Sequence, residues 1–251
     1  MHPRSGARLR RDRSGPARLR RQREAVAEAL GGGGRGGPRR RHSCAHGRAR
    51  HRQTGIVSHD VGAYVAQSLA RLHRERLGGL FFFNCPYPGI GARWAAPEHL
   101  IEIWYQSFHQ QPWAAALVGS SRETCRLYFR HFLSHWAHDP RAFDDDIEAW
   151  VDNFLKPGNL QGGFNWYISA NQARLATMRG ETPATQRTSI DLPTRVLWGE
   201  SDPVLKSGWT DRLGEYFTNA KVTTVPDAGH FVHYEKPDLA CREIRAFFHS
   251  L

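Results

Sequence analysis

Ile56-Val57-Ser58-His59-Asp60-Val61-Gly62-Ala63-Tyr64 decides how this chain is read. An apolar strand end runs into an acid flanked at −2 and +2 by Ser58 and Gly62, and a helical pattern follows at once. A sharp strand-to-helix turn that throws one side chain clear of a sheet is strained, and its close backbone packing demands small neighbours. Ser58 cannot be the projecting residue, because Ile56 and Asp60 would then fill the small positions. Asp60 fits. A carboxylate there suits attack on a saturated carbon, leaving an ester for water to hydrolyse. The plainer use of the same residue is to cap the following helix.

Outward from this turn the pattern alternates. Gly55 to Ser58 reads as a short buried strand and Val61 to Leu77 as a helix carrying Val65, Leu69 and Leu72 on one side. Leu80 to Phe83 reads as a second buried strand. Pro97 to Gln110, Arg122 to His138 and Pro140 to Leu155 form a helical insertion, followed by a less regular stretch through Phe164-Asn165-Trp166-Tyr167. Strand chemistry returns at Arg195 to Trp198, then a helix near Trp209 to Phe217, a strand at Lys221 to Val225, and a final helix with Pro237 near its start. The expected fold class is α/β, a sheet with an inserted helical cap. The expected divisions are 1–53 as a basic segment, 54–89 as the first core part, 90–190 as the cap and 191–251 as the second core part.

Three residues fall at predicted strand ends, where α/β sheets place their sites. Asp60 stands on the turn, Asp202 follows the strand through Val196, and His230 follows the strand through Val222. The order nucleophile, acid, histidine carries a triad in which His230 takes a proton from water and Asp202 orients its ring. Glu200, Asp227 and His233 are rival assignments. Gly199 before the acid and Gly229 before the histidine favour Asp202 and His230.

Over residues 54–251 the sequence resembles the epoxide hydrolase branch of the α/β-hydrolase superfamily. Tyr105-Gln106-Ser107-Phe108-His109-Gln110-Gln111-Pro112 is similar to the first tyrosine segment of its caps. Phe164-Asn165-Trp166-Tyr167 is similar to the second, although Ile168 stands where arginine is common. The resemblance implies that Tyr105 and Tyr167 donate hydrogen bonds to the epoxide oxygen opposite Asp60, and phenols remain protonated at neutral pH. The backbone N–H of Val61, where tryptophan is frequent, is expected to serve the oxyanion. No metal or organic cofactor is implied, and the expected partners are a small apolar substrate and water. A haloalkane or haloacetate dehalogenase shares the nucleophile, but in the haloacetate enzymes a His-Trp pair stands where this chain has Tyr105-Gln106.

The chain has 251 residues and a net charge of +11. That charge belongs to residues 1–54, which hold 16 arginines, no lysine, three acids (Asp12, Glu24, Glu28) and no aromatic residue. High charge and low hydrophobicity predict a disordered Arg/Gly-rich tail in place of the strands that precede the turn in the family. Its composition fits out-of-frame translation of a GC-rich gene or a misassigned start. A transit peptide fits less well. The alternative to a working enzyme is a truncated, inactive hydrolase whose basic tail binds anionic polymers. Without aromatics to stack bases, specific nucleic-acid binding is not expected. His42, Cys44, His46 and His51 match no common zinc spacing. Cys44, Cys85, Cys125 and Cys241 contain no CxxC pair, as suits a reducing, cytoplasmic setting. No membrane association is expected, since no stretch approaches the ~20 apolar residues of a span.

Overall fold

The computed structural model describes residues 53–181 and 186–251. The basic segment and the His42 to His51 cluster therefore lie outside the described residues, apart from Gln53 and Thr54.

Four strands, β1 (Thr54–His59), β2 (Leu77–Phe83), β3 (Thr194–Gly199) and β4 (Ala220–Val225), form a parallel sheet in the order β1-β2-β3-β4. Val57 pairs with Phe81, Phe82 with Val196, and Val196 with Val222. Because all four strands run the same way, the residues that follow them gather along one edge of the sheet.

Alternation along β2 builds a core on each face. Leu80 and Phe82 join Val196, Trp198, Leu205 and Phe217 on one side. Phe81 and Phe83 join Leu197, Val225 and Ile244 on the other. The first face is covered by α1 (Val61–Leu72) through Ala63, Ala66, Gln67 and Ala70, small residues that let the helix lie close to the sheet. The second is covered by α9 (Pro237–His249), which buries Ala240 and Ile244 and starts on Pro237.

Two details differ from expectation here. α1 ends at Leu72, a 3₁₀ turn (Arg74–Arg76) intervenes, and β2 already begins at Leu77. The apolar stripe Val65, Leu69 and Leu72 is also not the core face: these residues are 57%, 37% and 73% exposed. Among the described residues, β1 has β2 as its only strand neighbour.

Between β2 and β3 the chain runs through 3₁₀ segments (Pro88–Ala95, Pro97–Glu102) and then six helices. These are α2 (Trp104–Phe108), α3 (Ala114–Val118), α4 (Arg122–His135), α5 (Ile147–Phe154), α6 (Asn159–Ser169) and α7 (Asn171–Met178). The expected helix over 97–110 is thus broken, and that over 140–155 starts only at Ile147. The stretch expected to be irregular, Phe164 to Tyr167, lies inside α6. Ser121 caps α4 by accepting the Thr124 N–H at 3.0 Å. Cys125, Leu133, Phe143, Ile147 and Val151 give this layer its own core, which reaches Tyr234 of the short helix α8 (Val232–Glu235). Ser207–Glu215 is 3₁₀ where an α-helix was expected.

Candidate active site

Asp60 sits between β1 and α1 with φ 46° and ψ −120°. A non-glycine residue in that region stores about 1–3 kcal/mol of strain, held in place by its surroundings. The small flanking pair explains how. A Cβ on Gly62 would stand 3.3 Å from the Ser58 side chain, so the two backbones pass with nothing between them. The Asp60 carbonyl accepts the Ala63 N–H at 2.8 Å, closing the first turn of α1. Its carboxylate is not the helix cap, since the turn has no side-chain cap bond. Burial pushes the Asp60 pKa up, against the opposing pull of His230 and the hydrogen bond from the Val61 N–H.

The acid and the histidine are brought together after β3 and β4. His230 Nδ1 donates to Asp202 Oδ2 at 2.8 Å, and both residues are buried. Asp202 Oδ1 accepts the N–H groups of Val204 and Leu205 at 2.8 and 2.9 Å, and Oδ2 accepts Asn84 Nδ2 at 2.6 Å. Every lone pair of this carboxylate is thereby occupied. Burial pushes the His230 pKa down, but the Asp202 carboxylate, by charge and by hydrogen bond, and Asp60 and Glu235 outweigh it; the net shift is upward. Of the rival acids and histidine, Glu200 and Asp227 are not bonded to His230. His233 has a pKa lowered to about 4 by burial and by His230.

Gly199 and Gly229 matter for a reason other than turning. Neither takes a positive φ. A Cβ on Gly199 would overlap the Gly229 carbonyl, and one on Gly229 would overlap the Trp136 carbonyl. The two loops therefore interlock, and the His230 N–H completes the fit by donating to Trp136 O at 2.7 Å.

Three contributors have no local sequence signature. Asn84, at the end of β2 with φ 44°, is the second side chain on Asp202. His59 donates from Nε2 to the His230 carbonyl at 2.8 Å, and its ring lies 4.6 Å from that of His230. Burial, then His230 and His233, hold the His59 pKa well down, so it serves as a neutral brace. Arg174 on α7, which lines the cavity next to Tyr105 and Gln106, is the third.

Asp60 and Val61 line a cavity of about 350 Å³. Tyr105 and Tyr167 line the same cavity, and their rings meet edge to face at 5.6 Å. Burial raises both phenol pKa values, and the Asp60 charge adds to the effect, so both keep their protons. Tyr64, one turn along α1 from Asp60, lines the same space with its pKa raised for the same reasons. Tyr105 and Tyr167 also border a second, aromatic cavity of about 240 Å³ that includes Trp136 and Phe231. Among the described residues no cluster of metal-ligating side chains occurs and no helix is long and apolar enough to cross a membrane.

A parallel sheet with an inserted helical layer has counterparts among known proteins. The model of the alpha/beta hydrolase family matches residues 5–243. This chain belongs to that family. Human epoxide hydrolase 4 is 24% identical over 198 residues, covering 76% of this chain and 52% of that protein. The soluble epoxide hydrolase of Corynebacterium sp. (strain C12) is 27% identical over 209 residues, covering 79% and 68%. This chain thus spans about half to two thirds of the length of these relatives. Among solved structures, the epoxide hydrolase CorEH without ligand superimposes with a TM-score of 0.65 at 25% identity, covering 80% of this chain and 69% of that one. Cfl2 from Burkholderia cenocepacia, at 24% identity and a TM-score of 0.64, shares the fold.

Proposed function

We propose that this hydrolase opens an epoxide to a vicinal diol through an alkyl ester on Asp60, with Asp60, Asp202 and His230 as its catalytic triad and the 90–190 insertion as its cap. The observation that carries the reading is Asp60 on its strained turn, sharing one cavity with two protonated phenols. One Asp60 oxygen attacks an epoxide carbon, the C–O bond breaks, and Tyr105 or Tyr167 protonates the departing oxygen. The other Asp60 oxygen, bonded to the Val61 N–H, becomes the ester carbonyl. His230, with Nδ1 committed to Asp202, uses Nε2 to take a proton from water, and the resulting hydroxide attacks that carbonyl. The oxyanion forms beside Val61 N–H, collapses and expels the diol alkoxide, which takes the proton held by His230; the proton of the new Asp60 carboxyl passes to the tyrosinate, which restores both groups.

The charges favour this sequence. Asp60 is one of the carboxylates that raise the His230 pKa. Esterification removes its charge, so the imidazole loses its hold on the proton when a base is needed. The relatives named as epoxide hydrolases support the same choice over a dehalogenase, which would release halide in place of a diol. The unpaired Cys85, Cys125 and Cys241 support a cytoplasmic setting.

Changing His230 to Gln and adding a test epoxide such as styrene oxide should leave a mass increment on the peptide containing Asp60. An unmodified Asp60 peptide in His230→Gln after incubation with epoxides would reject the mechanism, and release of bromide from an alkyl bromide with the same adduct would move the assignment to the dehalogenase.

A further inference from the structure

Gly229, His230 and Phe231 lie between β4 and α8, so their backbone N–H groups must find partners outside both elements. Glu235, the last residue of α8, takes two of them: Oε1 accepts the Gly229 N–H at 2.9 Å and the Phe231 N–H at 3.2 Å. The third, that of His230, goes to the cap at the Trp136 carbonyl. The other carboxylate oxygen also turns to the cap, Oε2 accepting the His138 N–H at 2.7 Å. His138 in turn holds Nδ1 2.9 Å from Ser201 Oγ, next to Asp202. Among the described residues, the hydrogen-bond partners of the Glu235 carboxylate are all backbone N–H groups.

An acid at a helix end that gathers loose N–H groups is often a cap and nothing else. Glu235 is placed to do more. The two residues on its Oε1 flank the imidazole that takes the proton, and the bond from Nδ1 to Asp202 alone leaves that ring free to swing about it. Holding the backbone on both sides fixes where Nε2 points, and a misplacement of about 1 Å can cost about 10²-fold in rate. Charge acts in the same direction. The carboxylates that act on His230 are Asp202 after β3, Asp60 after β1 and Glu235 on α8, with the rings of His59 and His233 nearby and neutral. Esterification removes the charge of Asp60. Glu235 is then the carboxylate outside the triad that steadies the imidazolium until the alkoxide takes its proton.

We propose that Glu235 is a positioning residue for hydrolysis of the Asp60 ester, clamping the backbone on both sides of His230 and tying that loop to the cap. The half-reaction rests on the Asp60 reading above; the clamp on His230 does not.

The test uses the full chain and Glu235→Gln, whose amide keeps one oxygen and turns an NH₂ group toward a backbone N–H, so that one side of the clamp opens. In rapid-quench experiments with styrene oxide, the ester on Asp60 should form as fast as in the unmodified protein and disappear about 10–100-fold more slowly. The pH at which hydrolysis rises should move down, because His230 loses a carboxylate that helps hold its proton. Glu235→Asp keeps the charge but is one methylene too short for the clamp, so hydrolysis should slow without that shift. A further readout needs no epoxide: the Nδ1–H proton resonance of His230, identified by its loss in His230→Gln, should titrate at lower pH in Glu235→Gln. Equal slowing of ester formation and hydrolysis would overturn the proposal. So would a lower melting temperature with both pH midpoints unmoved, which would leave Glu235 as a helix cap. A moved resonance in a protein that forms no ester with any epoxide would uphold the clamp and reject the epoxide reading instead.

Discussion

Asp202 and Asp60 are both aspartates at the ends of strands in one parallel sheet, yet their surroundings are opposite. Asp202 follows β3, which has a strand on each side and is buried along its whole length. It is itself buried and satisfied by two backbone N–H groups, Asn84 and His230. Asp60 follows β1, whose one strand neighbour among the described residues is β2, and it holds a positive φ with its pKa raised by burial. One acid is anchored so that it can orient a histidine; the other is left short of partners so that its oxygens stay reactive. Rigidity and reactivity are divided between two copies of the same side chain.

The sharpest way to break this contrast is to remove each acid. Either replacement should abolish diol formation. Asp202→Ala should also lower stability in denaturant by about 3–5 kcal/mol, because a buried imidazole and three donors lose their partner. Asp60→Gly should not lower stability, the balance lying between no change and a gain of about 2.5 kcal/mol. Relief of about 1–3 kcal/mol of backbone strain is set against about 0.5–1 kcal/mol of added chain entropy. Equal losses in the two variants would mean that Asp60 is as firmly built in as Asp202.

A smaller effect follows from pH. The folded-state pKa of His230 is raised, so its proton stabilises the fold below the unfolded value near 6.5 and this contribution disappears as pH rises through the folded value. His59 and His233 are shifted down and act in the opposite sense, but only below about pH 6.5, where the unfolded chain takes up their protons. Between about pH 7 and pH 9 the melting temperature should therefore fall. His230→Gln should flatten that slope, and an unchanged slope in the variant would assign the effect to other groups. Activity should move the other way, rising with pH as His230 becomes free to act as a base.

How much of this was readable beforehand follows the same division. The turn at Asp60 announces itself because strand pattern, small neighbours and helix pattern are all within nine residues. The positions of Asp202 and His230 are legible because each ends an apolar run. What was not legible is long-range. Asn84 and His59 act on residues more than 100 positions away, and nothing in their local spacing says so. Gly199 and Gly229 stand out in the sequence only as the glycines before the acid and the histidine, whereas they are needed because two loops and the cap pass too close for any Cβ. Phe164 to Tyr167 reads as irregular from its glycines and aromatics, but packing of Phe164 under α3 holds it helical, an override of propensity by tertiary contacts. The stripe Val65, Leu69 and Leu72 has the right period for a core face and is the wrong face, because the alanines opposite it approach the sheet more closely.

That stripe gives the mildest test of the contrast between the two acids. Leu72 is 73% exposed, on the helix that leaves the Asp60 turn. Leu72→Glu should alter stability by no more than about 0.5 kcal/mol, as expected for a surface site. Ala66→Leu, on the same helix but against the sheet, should cost about 1–3 kcal/mol by overpacking. If Leu72→Glu instead cost as much as Ala66→Leu, both faces of α1 would be packed. The turn that carries Asp60 would then be supported from two sides and held as firmly as the Asp202 loop.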